Sequence, residues 1–241
     1  MHKFKLGLIT AALFTMGFQA QAANDLFSDV QAQSTKSIQT LKADVSKRSV
    51  FSINKGALKE QTKSINILLE DNLNIEFNKT KAKRKKSGAL VWQGVVSSLF
   101  LTLNTNIDPV AAQKNSATLI ERDGTVTGTV RFQGKLYRIR PTSHGVHTVE
   151  LINETRMLDH ADDYIDPESN PVQPSVQSFT LAANPVIDVL VVYTAAAANN
   201  AGNIASLIDL AEIETNNGYA SSGVNLSVNI VHTEQISYNE N

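Results

Sequence analysis

Five histidines, two runs of concentrated charge and a pair of helical glutamates are the residues of this 241-residue chain best equipped to do chemistry. The histidines are His2, His144, His147, His160 and His232, and only His144 and His147 lie close enough in sequence to share a ligand. Residues three apart on a strand face opposite sides, so this pair holds one metal only if a turn redirects His144. His147 has the parity of Val149 and Leu151, which assigns it to an apolar face as a buried, hydrogen-bonded residue. Residues 79–86, KTKAKRKK, carry six cations in eight positions. Such a run suits an anionic surface, but between two strand candidates a solvated hairpin loop is the expectation. Residues 159–177 hold five carboxylates and three prolines. Asp159, Asp162, Asp163 and Asp166 offer oxygens suited to calcium, although their spacing lacks the glycine of an EF-hand loop. Glu212 and Glu214 have no basic partner to tune them and read as a solvated face or helix contacts, not as catalytic acids. There is no G-x-S-x-G elbow, phosphate-binding loop or dinucleotide glycine pattern. The absence of cysteine removes any thiol nucleophile, thiolate ligand or disulfide.

The elements that must position these groups fall into four stretches after an export signal. His2, Lys3 and Lys5 precede an apolar run at 6–18, and Ala20-Gln21-Ala22 provides a small-x-small site, so cleavage is expected between Ala22 and Ala23. The run is shorter than the roughly 20 residues that a spanning helix needs, and no later segment reaches that length. The expectation is an exported product, secreted or passing through a periplasm, with no membrane association once the signal is removed. A formal net charge of -1 argues against nucleic acid as the main partner. Residues 24–62 are polar and weakly patterned, with one strand expected at 49–53 after a leading helix. Residues 64–152 read as an antiparallel meander. Leu73, Ile75 and Phe77 alternate with polar residues, 90–96 and 99–103 are apolar strand candidates, and four further strands are expected at 117–120, 126–132, 136–140 and 146–152. Asp123-Gly124, Gln133-Gly134 and His144-Gly145 punctuate those four as hairpin turns. The Pro-rich acidic stretch is an exposed linker. Residues 187–193, IDVLVVY, form a nearly continuous apolar strand expected to be buried on both faces. A helix with Ile204, Leu207, Ile208 and Ala211 at helical spacing follows, then a strand from Val224 to Ile230, giving a β-α-β unit.

The segments PVIDVLVVYT (185–194) and ETNNGYASSGV (214–224) resemble the opening of the catalytic domain in peptidyl-Asp metalloendopeptidases, secreted bacterial zinc proteases of the metzincin clan with a reprolysin-like fold. Upstream, WQG (92–94), GKLYRIRP (134–141) and GVHTV (145–149) resemble the propeptide of the same family. The resemblance implies protein or peptide substrates, zinc in the full-length enzyme, and a propeptide that binds its own catalytic domain. It also implies that the chemistry resides in H-E-x-x-H-x-x-G-x-x-H, which this sequence does not contain. No catalytic residue or zinc ligand is therefore assigned within it, and the zinc ligands are expected to lie beyond Asn241. His144 and His147 are the candidates for a latency ligand, since the chain has no cysteine to serve as one, and steric blocking ranks above them. Asp188 stands where reprolysin-like enzymes often carry a calcium-binding glutamate. A structural cap is an equal reading of that residue.

The fold expected is α+β: an antiparallel β-rich propeptide domain followed by the first β-α-β unit of an α/β metzincin catalytic domain. The divisions are a signal at 1–22, the propeptide at 23–158, the linker at 159–183 and the start of the catalytic domain at 184–241. With the β-α-β faces uncovered at Asn241, the expectation is a portion of a longer precursor, inactive by itself and processed within the linker. The other class consistent with the sequence is a non-catalytic exported β-protein, such as a propeptide-like protease inhibitor or a binding module.

Overall fold

The computed structural model describes residues 24–28, 43–70, 72–96, 115–142, 146–157 and 185–238. Twelve strands are present among them: β1 Asn24–Asp25, β2 Phe27–Ser28, β3 Val45–Ile53, β4 Ser64–Glu70, β5 Leu73–Arg84, β6 Leu90–Val96, β7 Ser116–Arg122, β8 Thr125–Phe132, β9 Lys135–Pro141, β10 Val146–Ile152, β11 Val186–Tyr193 and β12 Ser227–Gln235. Helices α1 (Ala195–Ala201) and α2 (Ile204–Ser221) lie between the last two strands. The first ten strands form one sheet in the order β1-β4-β5-β6-β7-β8-β9-β10-β3-β2.

The two ends of that sheet are the same piece of chain. β1 pairs in parallel with β4, β2 pairs antiparallel with β3, and only Leu26 separates β1 from β2. The Leu26 N–H donates to the Asn66 carbonyl at 2.9 Å, and its carbonyl accepts from Asn54 N–H at 2.8 Å. The segment therefore bridges the outer edges of β3 and β4 and brings the sheet close to a closed barrel, which removes exposed strand edges. Glu70 of β4 holds the same seam, accepting from Lys47 of β3 at 3.3 Å and from the buried Tyr137 hydroxyl at 2.8 Å.

Inside, alternate residues of each strand meet in one core that includes Leu26, Phe51, Phe77, Trp92, Leu119, Tyr137 and Val149. Phe27 stacks on Phe51 with ring centroids 5.0 Å apart. The Trp92 indole donates to the Thr62 carbonyl at 3.1 Å. Its ring lies where a side chain at position 94 would stand, since a Cβ there would come within 2.5 Å of it, so glycine is required in that strand. Asp123-Gly124 and Gln133-Gly134 form two-residue turns with positive φ at both positions, as their sequence suggests.

The expected α+β class is corrected by this architecture. The described residues are mostly β, with ten strands in one nearly closed sheet and only two α-helices. The expectation fails at the polar stretch 24–62, whose low apolar density reads as too poor to build a core. A barrel strand needs only alternate inward positions to be apolar, and Leu26, Phe27 and Phe51 supply them, each buried in the barrel core. The meander at 64–152 is present, and the strand expected at 49–53 is the C-terminal half of β3. The candidate strand 99–103 lies outside the described residues, as do residues 29–42, where most of the leading helix is expected. The β-α-β order is present, with β11 and β12 parallel. However, β11 is not buried on both faces, because Val186, Leu190 and Val192 are exposed. No described helix is long and apolar enough to cross a membrane.

Because Leu26 is fully buried at the point of closure, Leu26→Ala should lower stability by about 2–5 kcal/mol, read as a reduced urea midpoint. A midpoint unchanged from the parent would show that the seam is held without it.

Candidate functional site

The chemistry-bearing side chains converge where α2 lies on the outer face of the barrel. Positions of β6 and β7 that point away from the core are normally polar, yet Val91 and Ile120, with the adjoining Ala89, form an apolar patch with Leu210, flanked by Ile213 of α2. The helix is placed by local caps. Thr194 Oγ1 accepts from Ala197 N–H to start α1, and Asn203 Oδ1 accepts from Ser206 N–H to start α2. Gly202, between them, has φ +73, and a Cβ there would overlap the Pro141 carbonyl, so the helix junction rests directly on the end of β9. The Asn203 amide then donates to Thr125 Oγ1 on β8 at 3.3 Å.

Beside the apolar patch is a chain of charges. Lys85 Nζ lies 2.6 Å from Asp209 Oδ1 and 2.9 Å from Glu212 Oε2, while Arg122 Nη2 lies 2.6 Å from Asp209 Oδ2. Asp209 is thereby clamped between two cations and is itself 9% exposed. Partial burial acts to lower the Lys85 pKa, but hydrogen bonds from its ammonium to Asp209 and Glu212 outweigh it and leave the pKa raised. Further along, Glu214 accepts a hydrogen bond from Thr129 and sits near the half-buried Arg140. Burial and the neighbouring Arg138 bring Arg140 down to about 10, against the pull of Glu214 and Glu150. Its guanidinium donates to the Gly128 and Ile139 carbonyls at 3.2 and 2.9 Å.

These positions decide three sequence readings. Glu212 and Glu214 make helix contacts with barrel residues and are not a solvated face. The run 79–86 is not a loop: β5 continues to Arg84, and only residues 85–89 turn into β6. Within it, Lys85 is an anchor for α2 rather than a free cation. No local signal marks the constellation, since Lys85 and Asp209 are 124 residues apart. The spacing of Asp209 and Glu212 on one helical face is the only trace of it in the sequence.

The other candidates are dispersed. His147 is fully buried in the barrel, and its Nε2 accepts from Val126 N–H at 2.9 Å. Burial pulls its pKa down to about 4, so the ring is neutral. Asp188 is exposed on β11 and accepts from the Asn229 amide at 2.9 Å. His144, Ala22, Ala23, Asp159, Asp162, Asp163 and Asp166 lie outside the described residues. So does Asn241, the position past which zinc ligands are expected, and the structure therefore does not bear on that expectation. Among the described residues no group of three His, Asp or Glu side chains could hold a metal ion. The one buried histidine among the described residues already spends the lone pair of Nε2 on a backbone amide, so these residues do not fit a catalytic zinc.

Comparison with known proteins supplies what the geometry does not. A protein of Xanthomonas campestris pv. campestris named peptidyl-Asp metalloendopeptidase is 31% identical over an alignment 255 positions long, which covers 98% of this chain and 60% of that protein. Two proteins of the same name from strains of Stenotrophomonas maltophilia are 33% and 31% identical over 177 residues, or 69% of this chain and 41% of each of them. This chain is homologous to peptidyl-Asp metalloendopeptidases. It spans less than two thirds of the length of these relatives. No family model matches it, and no solved structure does.

Two outcomes follow from the geometry. Asp209→Ala removes the shared anion of Lys85 and Arg122, and should cost about 1–3 kcal/mol in urea unfolding, discounted for partial solvent access. The second concerns pH. His147 is depressed in the folded state, so the unfolded chain binds the extra proton between about pH 6.5 and 4, and stability must fall as pH drops through that window. The loss is on the order of 3 kcal/mol. His147→Gln keeps an acceptor for Val126 but cannot titrate, and should flatten the dependence of the urea midpoint on pH across the same range.

Proposed function

We propose that this chain is the precursor region of an exported zinc metalloendopeptidase that cleaves protein or peptide substrates next to Asp. In this reading residues 1–22 are the signal, the barrel within 23–158 is the propeptide, 159–183 is the segment where processing occurs, and 184–241 lead into the protease portion. The observation that carries it is the docking of α2 on the outside of the barrel. A propeptide that assists folding and masks its protease must hold it without covalent help, and here an apolar patch combines with the Lys85–Asp209–Arg122 clamp to do so. The homology runs along nearly the whole chain while covering about 60% of the Xanthomonas protein, which supports placing the hydrolytic machinery, zinc ligands included, beyond Asn241. The missing H-E-x-x-H-x-x-G-x-x-H supports the same division, because the metal-bound water and its glutamate base need that helix. The burial of His147 supports steric masking over a latency ligand from that residue.

The test is to place a specific protease site within residues 159–183, cut the purified chain, and follow the two pieces by gel filtration. Co-elution of the barrel with the β-α-β piece, lost when Lys85 and Arg122 are both changed to Glu, is the expected result. Separation of the wild-type pieces on cutting would sink the masking role. Hydrolysis of Asp-containing peptides by the zinc-supplemented chain would refute the division of labour. N-terminal sequencing of the exported product should begin at Ala23.

A further inference from the structure

Between the β5–β6 arm and β12 lies a cleft of about 1060 Å³ that the α2 clamp borders but does not fill. We infer that this cleft binds an extended acidic peptide, which adds as a strand to the outer edge of β12 while its carboxylates meet the lysines of β5.

The charge of the cleft is one-sided. Lys81, Lys83, Arg84, Lys85, Lys86 and Arg122 line it, against only Asp209 and Glu212. Both carboxylates are already engaged by Lys85 and Arg122. Among the described residues nothing forms an ion pair with Lys81, Lys83 or Lys86, and all three are exposed. Lys81 and Lys83 are alternate residues of one strand, so they project to the same side about 7 Å apart. Carboxylates at alternate positions of another extended chain have that same repeat.

The opposite wall offers backbone. Residues 229–233 of β12 line the cleft consecutively, as along a strand's edge, and the pairing with β11 shifts register after Ile230, leaving Val231 as an extra residue. β12 is hydrogen-bonded to β11 alone among the described strands, so its other edge is open. One rung of that edge is already occupied by a side chain that imitates a strand. Asn216 Oδ1 accepts from Val228 N–H at 2.8 Å, and its Nδ2 donates to the Val228 carbonyl at 2.9 Å. Ser227 N–H donates instead towards β11, to the Pro185 carbonyl at 3.1 Å. By strand alternation Ile230, in phase with Val228, presents the next rung to the cleft. Peptide capture at a sheet edge draws affinity from such main-chain bonds and selectivity from side chains facing the alternate positions. Charge complementarity decides the occupant. The space is as large as the biggest small-molecule pockets, roughly 300–1,000 Å³, and suits a length of chain.

The probe is a fluorescein-labelled peptide of alternating Asp and Val, titrated with the full exported chain by fluorescence anisotropy. Saturable binding that weakens as salt is raised is expected, with none for the Lys-Val counterpart. Lys81→Glu combined with Lys83→Glu should weaken it about tenfold or more, and the far-ultraviolet circular dichroism of this variant should match the parent because both positions are exposed. Amide exchange at Ile230 should slow on saturation. Equal binding by the same peptide N-methylated at alternate amides would overturn the edge role. Failure of the peptide to bind, or binding of a sulphated polysaccharide at the lysines with unchanged exchange at Ile230, would replace the peptide site with a simple polyanion surface.

Discussion

Everything in this molecule depends on five residues that close a sheet. Asn24 to Ser28 pair with β4 on one side and β3 on the other, and the backbone of Leu26 bonds to both ends of the sheet. Without that bridge β3 and β4 would be open edges, and the inward side chains of the sheet would face water. With it, sparse apolar residues suffice, because each inward position is shared by the whole barrel. Glu70 reinforces the closure from the far end of β4. Its carboxylate is held below the ordinary range, first by the Tyr137 hydroxyl and then by Lys47 and Lys135, against the opposing effect of burial.

Closure also creates an outside, and the chain uses that outside unevenly. On β6 and β7 it is apolar and receives α2, while the neighbouring β5 stays polar and basic. Asp209 sits at the border of the two regimes. Two cations at 2.6 Å neutralise it where solvent is mostly excluded, and the hydrogen-bonded geometry offsets much of the desolvation that such a triad incurs. The same arrangement leaves Lys81 and Lys83 without ion-pair partners among the described residues, so the face that joins helix to barrel also leaves a cationic cleft beside the join.

The buried histidine shows how a candidate ligand becomes a structural group. His147 of β10 reaches past β9 to an amide of β8, and desolvation keeps it neutral above about pH 4. With Nε2 accepting, the proton of the neutral ring sits on Nδ1, so neither nitrogen offers a metal a free lone pair. The connection to metalloendopeptidases rests on sequence homology, while the barrel contributes packing, a docking face and charge.

The sequence by itself determined what depends on near neighbours. Parity placed His147 on the apolar face, X-Gly pairs located the turns after β7 and β8, and apolar residues at helical spacing marked a helix between two strands near the C-terminus. Each of these is set by contacts a few residues long. The tertiary structure alone decided the rest. Whether residues 24–28 belong to a core depends on strands roughly 25 to 40 residues away. Whether Lys85 is solvent-facing or an anchor, and whether Glu212 and Glu214 have partners, depend on segments roughly 80 to 130 residues apart. Sheet closure chooses which distant segments meet, and no local pattern of charge or hydrophobicity encodes that choice.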